Sequence, residues 1–178
     1  MDNTSSDTRA YSTLSVVIHW LGAILIIALF LTHEAEGESF SYAFHVSGGA
    51  LAGVFLLWRV WRRFRIGFAE NPNTNPLLLL LSKSVLWGFL VCIVLVVVSG
   101  YLLPWTHGKP LEVFGILSIP SPMPEVHILH ELMEKIHDVA GHLFVPLLGL
   151  HILGWAKHAV VDRDGSASRI FKPVSRGL

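Results

Sequence analysis

The chain has 178 residues, enough for one domain, with 52% hydrophobic and 15% charged residues and a formal net charge of zero. A soluble domain carries about 25% charged residues, so this composition, with a mean hydropathy of +0.57, makes the bilayer the expected solvent and leaves no nucleic-acid partner expected. The lone cysteine, Cys92, lies in an apolar run, which excludes a disulfide framework, and no Cys-x-x-Cys-His is present for covalent c-type haem attachment.

The polar N-terminus, Met1 to Ala10, lacks a basic region and does not read as a cleaved signal peptide. Four stretches then reach the roughly 20 apolar residues that a membrane span needs. They run from about 14–33, 40–61, 77–103 (ended by Pro104) and 125–161, followed by a tail, 162–178. The last helix is expected to begin at Pro124 or Glu125, as an amphipathic turn or two outside the hydrocarbon; proline and acidic residues suit a helix start. Pro146 falls inside it and predicts a modest kink by freeing the carbonyl of His142.

The expected fold is therefore all-α, an integral membrane four-helix bundle forming a single domain. Arg9, Arg59, Arg62, Arg63, Arg65, Lys83, Lys157, Arg163, Arg169, Lys172 and Arg176 gather on one side, against Lys109 and Lys135 on the other. The excess of positive charge predicts that both termini are cytoplasmic. Glu34, Glu36, Glu38, Glu112, Glu125, Glu131 and Glu134 make the opposite face acidic. The tryptophans sit mostly near predicted interfaces, where anchoring explains them.

Ionisable residues inside a membrane are costly and read as functional. His137 and His151 stand 14 positions apart in the last helix. At 100° per residue that is about four turns, so both face one side, separated by a rise of about 21 Å. His19 opens the first helix at the cytoplasmic end, and His45 opens the second at the outer end. Matching depth pairs His19 with His151 and His45 with His137. Two facing imidazoles can supply both axial ligands of a haem iron, so two haems b are expected, one near each membrane face.

Small residues follow each histidine. Gly48, Gly49, Ala52 and Gly53 follow His45, Gly22 and Ala23 follow His19, Ala140 and Gly141 follow His137, and Gly154 follows His151. They either admit a porphyrin edge or let helices pack closely. His33 also lies 14 positions after His19 and offers a rival ligand to His45, but it has no small residues toward its own helix. The third helix, without histidine, reads as scaffold with Ser99 and Gly100 near its outer end.

Arg59, Arg62 and Arg63 are candidates for the propionates of the inner haem as well as topology signals. Lys135 is the cationic candidate at the outer haem. His158, seven residues after His151, is a candidate proton partner for a quinone near the inner haem, with Ser15 as a nearby polar group. His127, His130 and Glu134 share a helical face but read as a solvated turn rather than a metal site, since a fourth ligand is not apparent. His142 is assigned no haem.

Ile18-His19-Trp20, Phe44-His45-Val46-Ser47-Gly48-Gly49, and the stretch from His137-Asp138-Val139-Ala140-Gly141 to Gly149-Leu150-His151 resemble the bacterial cytochrome b561 family over nearly the whole chain. The resemblance implies a multi-pass protein of the inner membrane with two bis-histidine haems, ligated at His19, His45, His137 and His151. Members of the family can act as superoxide oxidases, passing electrons from superoxide to ubiquinone. Related b-type subunits serve hydrogenases and dehydrogenases. An enzyme that collects an anion focuses it with positive charge, whereas the acidic outer face here suits a cationic periplasmic redox protein. The function expected is electron transfer between a periplasmic donor and the quinone pool, by an oxidoreductase or by an anchor subunit for a partner enzyme.

Overall fold

The computed structural model describes residues 13–33, 39–68 and 75–162. Both chain ends and the run Glu34, Glu36 and Glu38 lie outside the described residues. Among the described residues, four helices are long and apolar enough to cross a membrane. Helix α1 spans Thr13–Leu31, α2 Phe40–Ile66, α3 Pro76–Thr106 and α4 His127–Asp162.

Local chemistry sets the ends. Ser39 caps α2 by accepting the backbone N–H of Tyr42, and Asn75 caps α3 by accepting that of Leu77 at 2.9 Å, with Pro76 at the first helical position. Helix α3 does not stop before Pro104 but continues to Thr106. A proline that near a helix end forfeits little, and the chain turns out through His107 and Lys109, whose N–H groups reach the carbonyls of Leu103 and Pro104. Helix α4 starts at His127 rather than Glu125, because the N–H of Val126 is drawn to the carbonyl of Thr106.

Two segments widen to π-helical turns: Phe44–Gly48 around His45, and Lys157–Asp162 around His158. Such turns re-aim side chains and are frequent at functional sites. Between α3 and α4 an antiparallel hairpin pairs β1 (Leu111–Val113) with β2 (Leu117–Ile119), Leu111 opposite Ile119. The all-α expectation did not include it. Ser47 of α2 ties this hairpin down, accepting the N–H of Phe114 at 2.8 Å and donating to the carbonyl of Glu112.

Helix α1 packs on α2, α2 on α3, and α3 most extensively on α4. The core joins Ala52, Leu56 and Val60 of α2, one turn apart, to Leu90, Ile93 and Val97 of α3. Gly53 belongs to this seam. A Cβ there would collide with Val97 and the Tyr101 hydroxyl, so of the two readings of Gly53 the packing supports close helix contact. Many large apolar side chains face outward, among them Leu31, Val54, Leu80 and Leu153, as lipid requires.

Candidate functional site

The four singled-out histidines come together in two pairs. His45 and His137 have ring centroids 6.1 Å apart, and His19 and His151 have theirs 6.2 Å apart. Two imidazoles on one metal need about 2 Å of bond on each side plus about 1 Å from nitrogen to ring centre, about 6 Å in all.

At the outer pair both rings are held from behind. His45 donates from Nδ1 to the carbonyl of Leu29 in α1 at 2.9 Å. His137 donates from Nδ1 to the carbonyl of Val96 in α3 at 3.0 Å, with Ser99 Oγ 3.1 Å from the same nitrogen. A hydrogen bond of this kind fixes the tautomer and leaves Nε2 for a metal, raising its basicity. Val96, Ser99 and Gly100 all belong to the helix read as scaffold. Ser99 is fully buried, and a Cβ on Gly100 would press on the His137 ring at 3.0 Å. The only signal in the sequence was a small polar pair, Ser99-Gly100, inside an apolar run.

The inner pair is built differently. Arg59 of α2 donates from Nη2 to His19 Nδ1 at 3.1 Å, and its guanidinium lies where a side chain on Gly22 would go. His151 stands edge-on to Phe89 at 5.7 Å. Arg62 and Arg63 turn away: Arg62 reaches Ser15 Oγ at 3.3 Å, and Arg63 reaches the carbonyl of Gly67 and the Phe68 ring.

The glycines divide between the two readings. Gly22 and Gly53 are filled by neighbours, whereas a Cβ on Gly141 would meet nothing within 4 Å and one on Gly49 only Leu29 at 3.9 Å. Among the described residues, Trp105 carries the one buried side-chain nitrogen without a partner; it packs against the cluster of Ala50, Leu111 and Val113. Ring spacing, Nδ1 tethers and the open flank of Gly141 all fit haem.

The other candidates lie elsewhere. Lys135 is exposed on α4. His158 pairs through Nδ1 with Asp162 at 3.0 Å, and Lys157 joins the same carboxylate. His33 is set against His142, with centroids 5.5 Å apart. The His130 and His107 rings lie 4.8 Å apart, tilted by 31°, and His127 pairs with Glu131 at 3.3 Å. No group of three metal-binding side chains with metal geometry occurs among the described residues.

Four spanning helices with opposed imidazole pairs define a membrane helical bundle of the cytochrome class. The model of the prokaryotic cytochrome b561 family matches residues 10–173, and the chain belongs to that family. Over 96% of its length it is 25% identical to cytochrome b561 homolog 2 of Escherichia coli (strain K12), covering 95% of that protein. It is also 22% identical to the probable superoxide oxidase CybB of Yersinia pestis, over 95% of this chain and 99% of the relative. This is accordingly a bacterial membrane protein, a b-type cytochrome of electron transfer.

Proposed function

We propose that the chain is a two-haem electron conduit across the bacterial inner membrane, with both termini cytoplasmic, linking a periplasmic donor to the ubiquinone pool. The observation that carries this reading is two imidazole pairs, each with ring centroids about 6 Å apart, whose α4 members His137 and His151 stand 14 residues apart on that helix. His45 and His137 hold the outer haem, and His19 and His151 the inner one. Bound haem supplies one-electron redox chemistry that no side chain here provides.

The protein's share is to bind, orient and tune. Leu29, Val96 and Ser99 orient the outer ligands, while Gly49 and Gly141 leave room for a porphyrin edge. A neutral imidazole that accepts at Nδ1 carries its proton on Nε2, whereas iron at Nε2 requires the proton on Nδ1. The Arg59 contact and ligation by His19 are therefore mutually exclusive. With haem bound the guanidinium would have to leave His19 for another acceptor, and haem propionates would offer carboxylates for it. His158, held by Asp162, is positioned to exchange a proton with quinone at the inner face.

On the donor side, the name of the Yersinia relative supports superoxide, and an oxidoreductase activity with it; Lys109 and Lys135 are the exposed outer cations. A second reading, an electron-transfer or anchor subunit taking electrons from a cationic protein, draws on the exposed Glu112, Glu125, Glu131 and Glu134. The test is reduction of the purified protein by superoxide alone, followed by electron delivery to ubiquinone. Rapid reduction, slowed by Lys135→Glu, supports the superoxide reading; haems that stay oxidised until a basic redox protein is added support the second.

A further inference from the structure

The β1–β2 hairpin has one polar and one apolar face, and only half of the apolar face is covered. Leu111 and Val113 of β1 are buried against Ala50 of α2, with Tyr101 and Trp105 of α3 packed alongside. Leu117 and Ile119 of β2 stand opposite Val113 and Leu111 and so share their face, yet both are exposed. Glu112 and Ser118 occupy the other face, where their side chains hydrogen-bond to each other.

The tip extends the uncovered half. The N–H of Ile116 reaches the carbonyl of Val113 at 3.0 Å, closing a turn in which Phe114 and Gly115 both have positive φ, 51° and 67°. A hairpin turn of that kind favours Asn, Asp or Gly at its centre, and a bulky side chain in the left-handed region crowds its own backbone. Phe114 is nonetheless held there, its N–H fixed by the buried Ser47, and the neighbouring Ile116 is 91% exposed. A strained aromatic residue at an exposed tip calls for a contact outside the hairpin.

The position of the hairpin identifies that contact. Ala50 beneath it belongs to the spanning helix α2, and Val54, one turn further along the same face, is exposed. The face of α2 that carries the hairpin is therefore lipid-facing one turn deeper. Residues 113–124 carry no charge, and the polar groups of the loop are turned inward, as apolar surroundings demand. Ser47 serves the Phe114 N–H and the Glu112 carbonyl, and Ser121 Oγ lies 2.9 Å from the carbonyl of Trp105. A protein interface would place a polar rim around such an apolar centre.

We infer that the hairpin is a membrane anchor: Phe114, Ile116, Leu117 and Ile119 enter the acyl boundary of the leaflet at the α3 C-terminal end, while Glu112 and Ser118 face the water. This rests on α2 and α3 crossing the bilayer, and not on the number of haems, the donor or the quinone.

The test is EPR power saturation on the haem-loaded, full-length protein in phosphatidylcholine vesicles, with a nitroxide label on one introduced cysteine in a Cys92→Ala background. The quantity read is the ratio of collisions with oxygen, which dissolves in hydrocarbon, to collisions with a water-soluble nickel chelate. A Val54→Cys label sets the lipid value and a Lys109→Cys label the water value. Labels at Ile116→Cys and Leu117→Cys are expected to exceed the Lys109 ratio about tenfold, because apolar solutes leave water for the acyl region. A Ser118→Cys label should match Lys109. Phe114→Asn suits the turn but lacks the ring, and should return the Ile116 ratio to the water value.

Ile116 and Leu117 labels at the water value overturn the inference. So do labels shielded from both collision partners, or lines that sharpen on dilution with unlabelled chain, since protein would then cover the face. A Ser118 label at the lipid value overturns the two-faced placement, and an Ile116 ratio unmoved by Phe114→Asn overturns the role of Phe114. A Val54 label without the lipid ratio overturns the spanning reading instead, and a haem spectrum on each sample tests the two-haem reading separately.

Discussion

The outer and inner histidine pairs share one ring spacing and differ in everything around it. His45 and His137 are tethered at Nδ1 by backbone carbonyls of Leu29 and Val96, neutral acceptors fixed in two neighbouring helices. His19 faces a guanidinium instead. Carbonyl acceptors make an imidazole more electron-rich and favour oxidised iron, whereas a permanent cation nearby favours the reduced state. Arg59 would stay beside the inner pair even after leaving His19 Nδ1, so haems bound as proposed would be biased in opposite directions at the two faces. If haems bind at both pairs as proposed, this difference would favour electron transfer from the outer one to the inner.

The largest way to break this comparison is to remove a ligand. His45→Leu or His137→Leu should abolish the outer haem and spare the inner, and His19→Leu or His151→Leu should do the reverse. Loss of haem in His33→Leu, measured by the same pyridine haemochrome assay, would point to the rival ligand. Next in size is Arg59→Leu. It should shift the inner redox equilibrium about tenfold toward oxidised, close to 59 mV for one electron, in a spectroelectrochemical titration. The outer potential should stay put, and Arg59→Lys should retain most of the difference.

Gly100→Val is expected to come third. Its side chain would push on the His137 ring, lowering outer haem occupancy or broadening its spectrum without touching the inner haem. The smallest change is Ser99→Ala. It removes one contact at His137 Nδ1 while the Val96 carbonyl remains, a cost of about 1 kcal/mol readable in thermal melts. The outer potential should move by less than the Arg59→Leu shift at the inner haem.

Much of this is legible in the sequence. Apolar runs of bilayer length gave the four spans, and the 14-residue spacing in α4 put His137 and His151 on one face, because helix periodicity is fixed by backbone geometry. What escaped lies at longer range or depends on local turns. The carbonyls of Leu29 and Val96 carry no side-chain signal, so the tethers that orient His45 and His137 could not be read from residue types. Gly100 looked like one more small residue until the ring of His137 came within 3.0 Å of its missing Cβ. Regular helix counting puts Gly53 on the general face of His45, but the π-helical turn at Phe44–Gly48 changes the angular count, and Gly53 faces Val97 and Tyr101 of α3. Arg59 was grouped with Arg62 and Arg63 as one basic cluster, and only the tertiary packing of α1 on α2 separates the member that reaches His19.

The central claim is one haem at each pair. Its most direct test is haem content per chain, with the reduced-minus-oxidised spectrum, in the wild type and in His45→Leu. The account predicts two haems b in the first and one in the second, with only the inner spectral component left. One haem per wild-type chain, or two retained in His45→Leu, would contradict it.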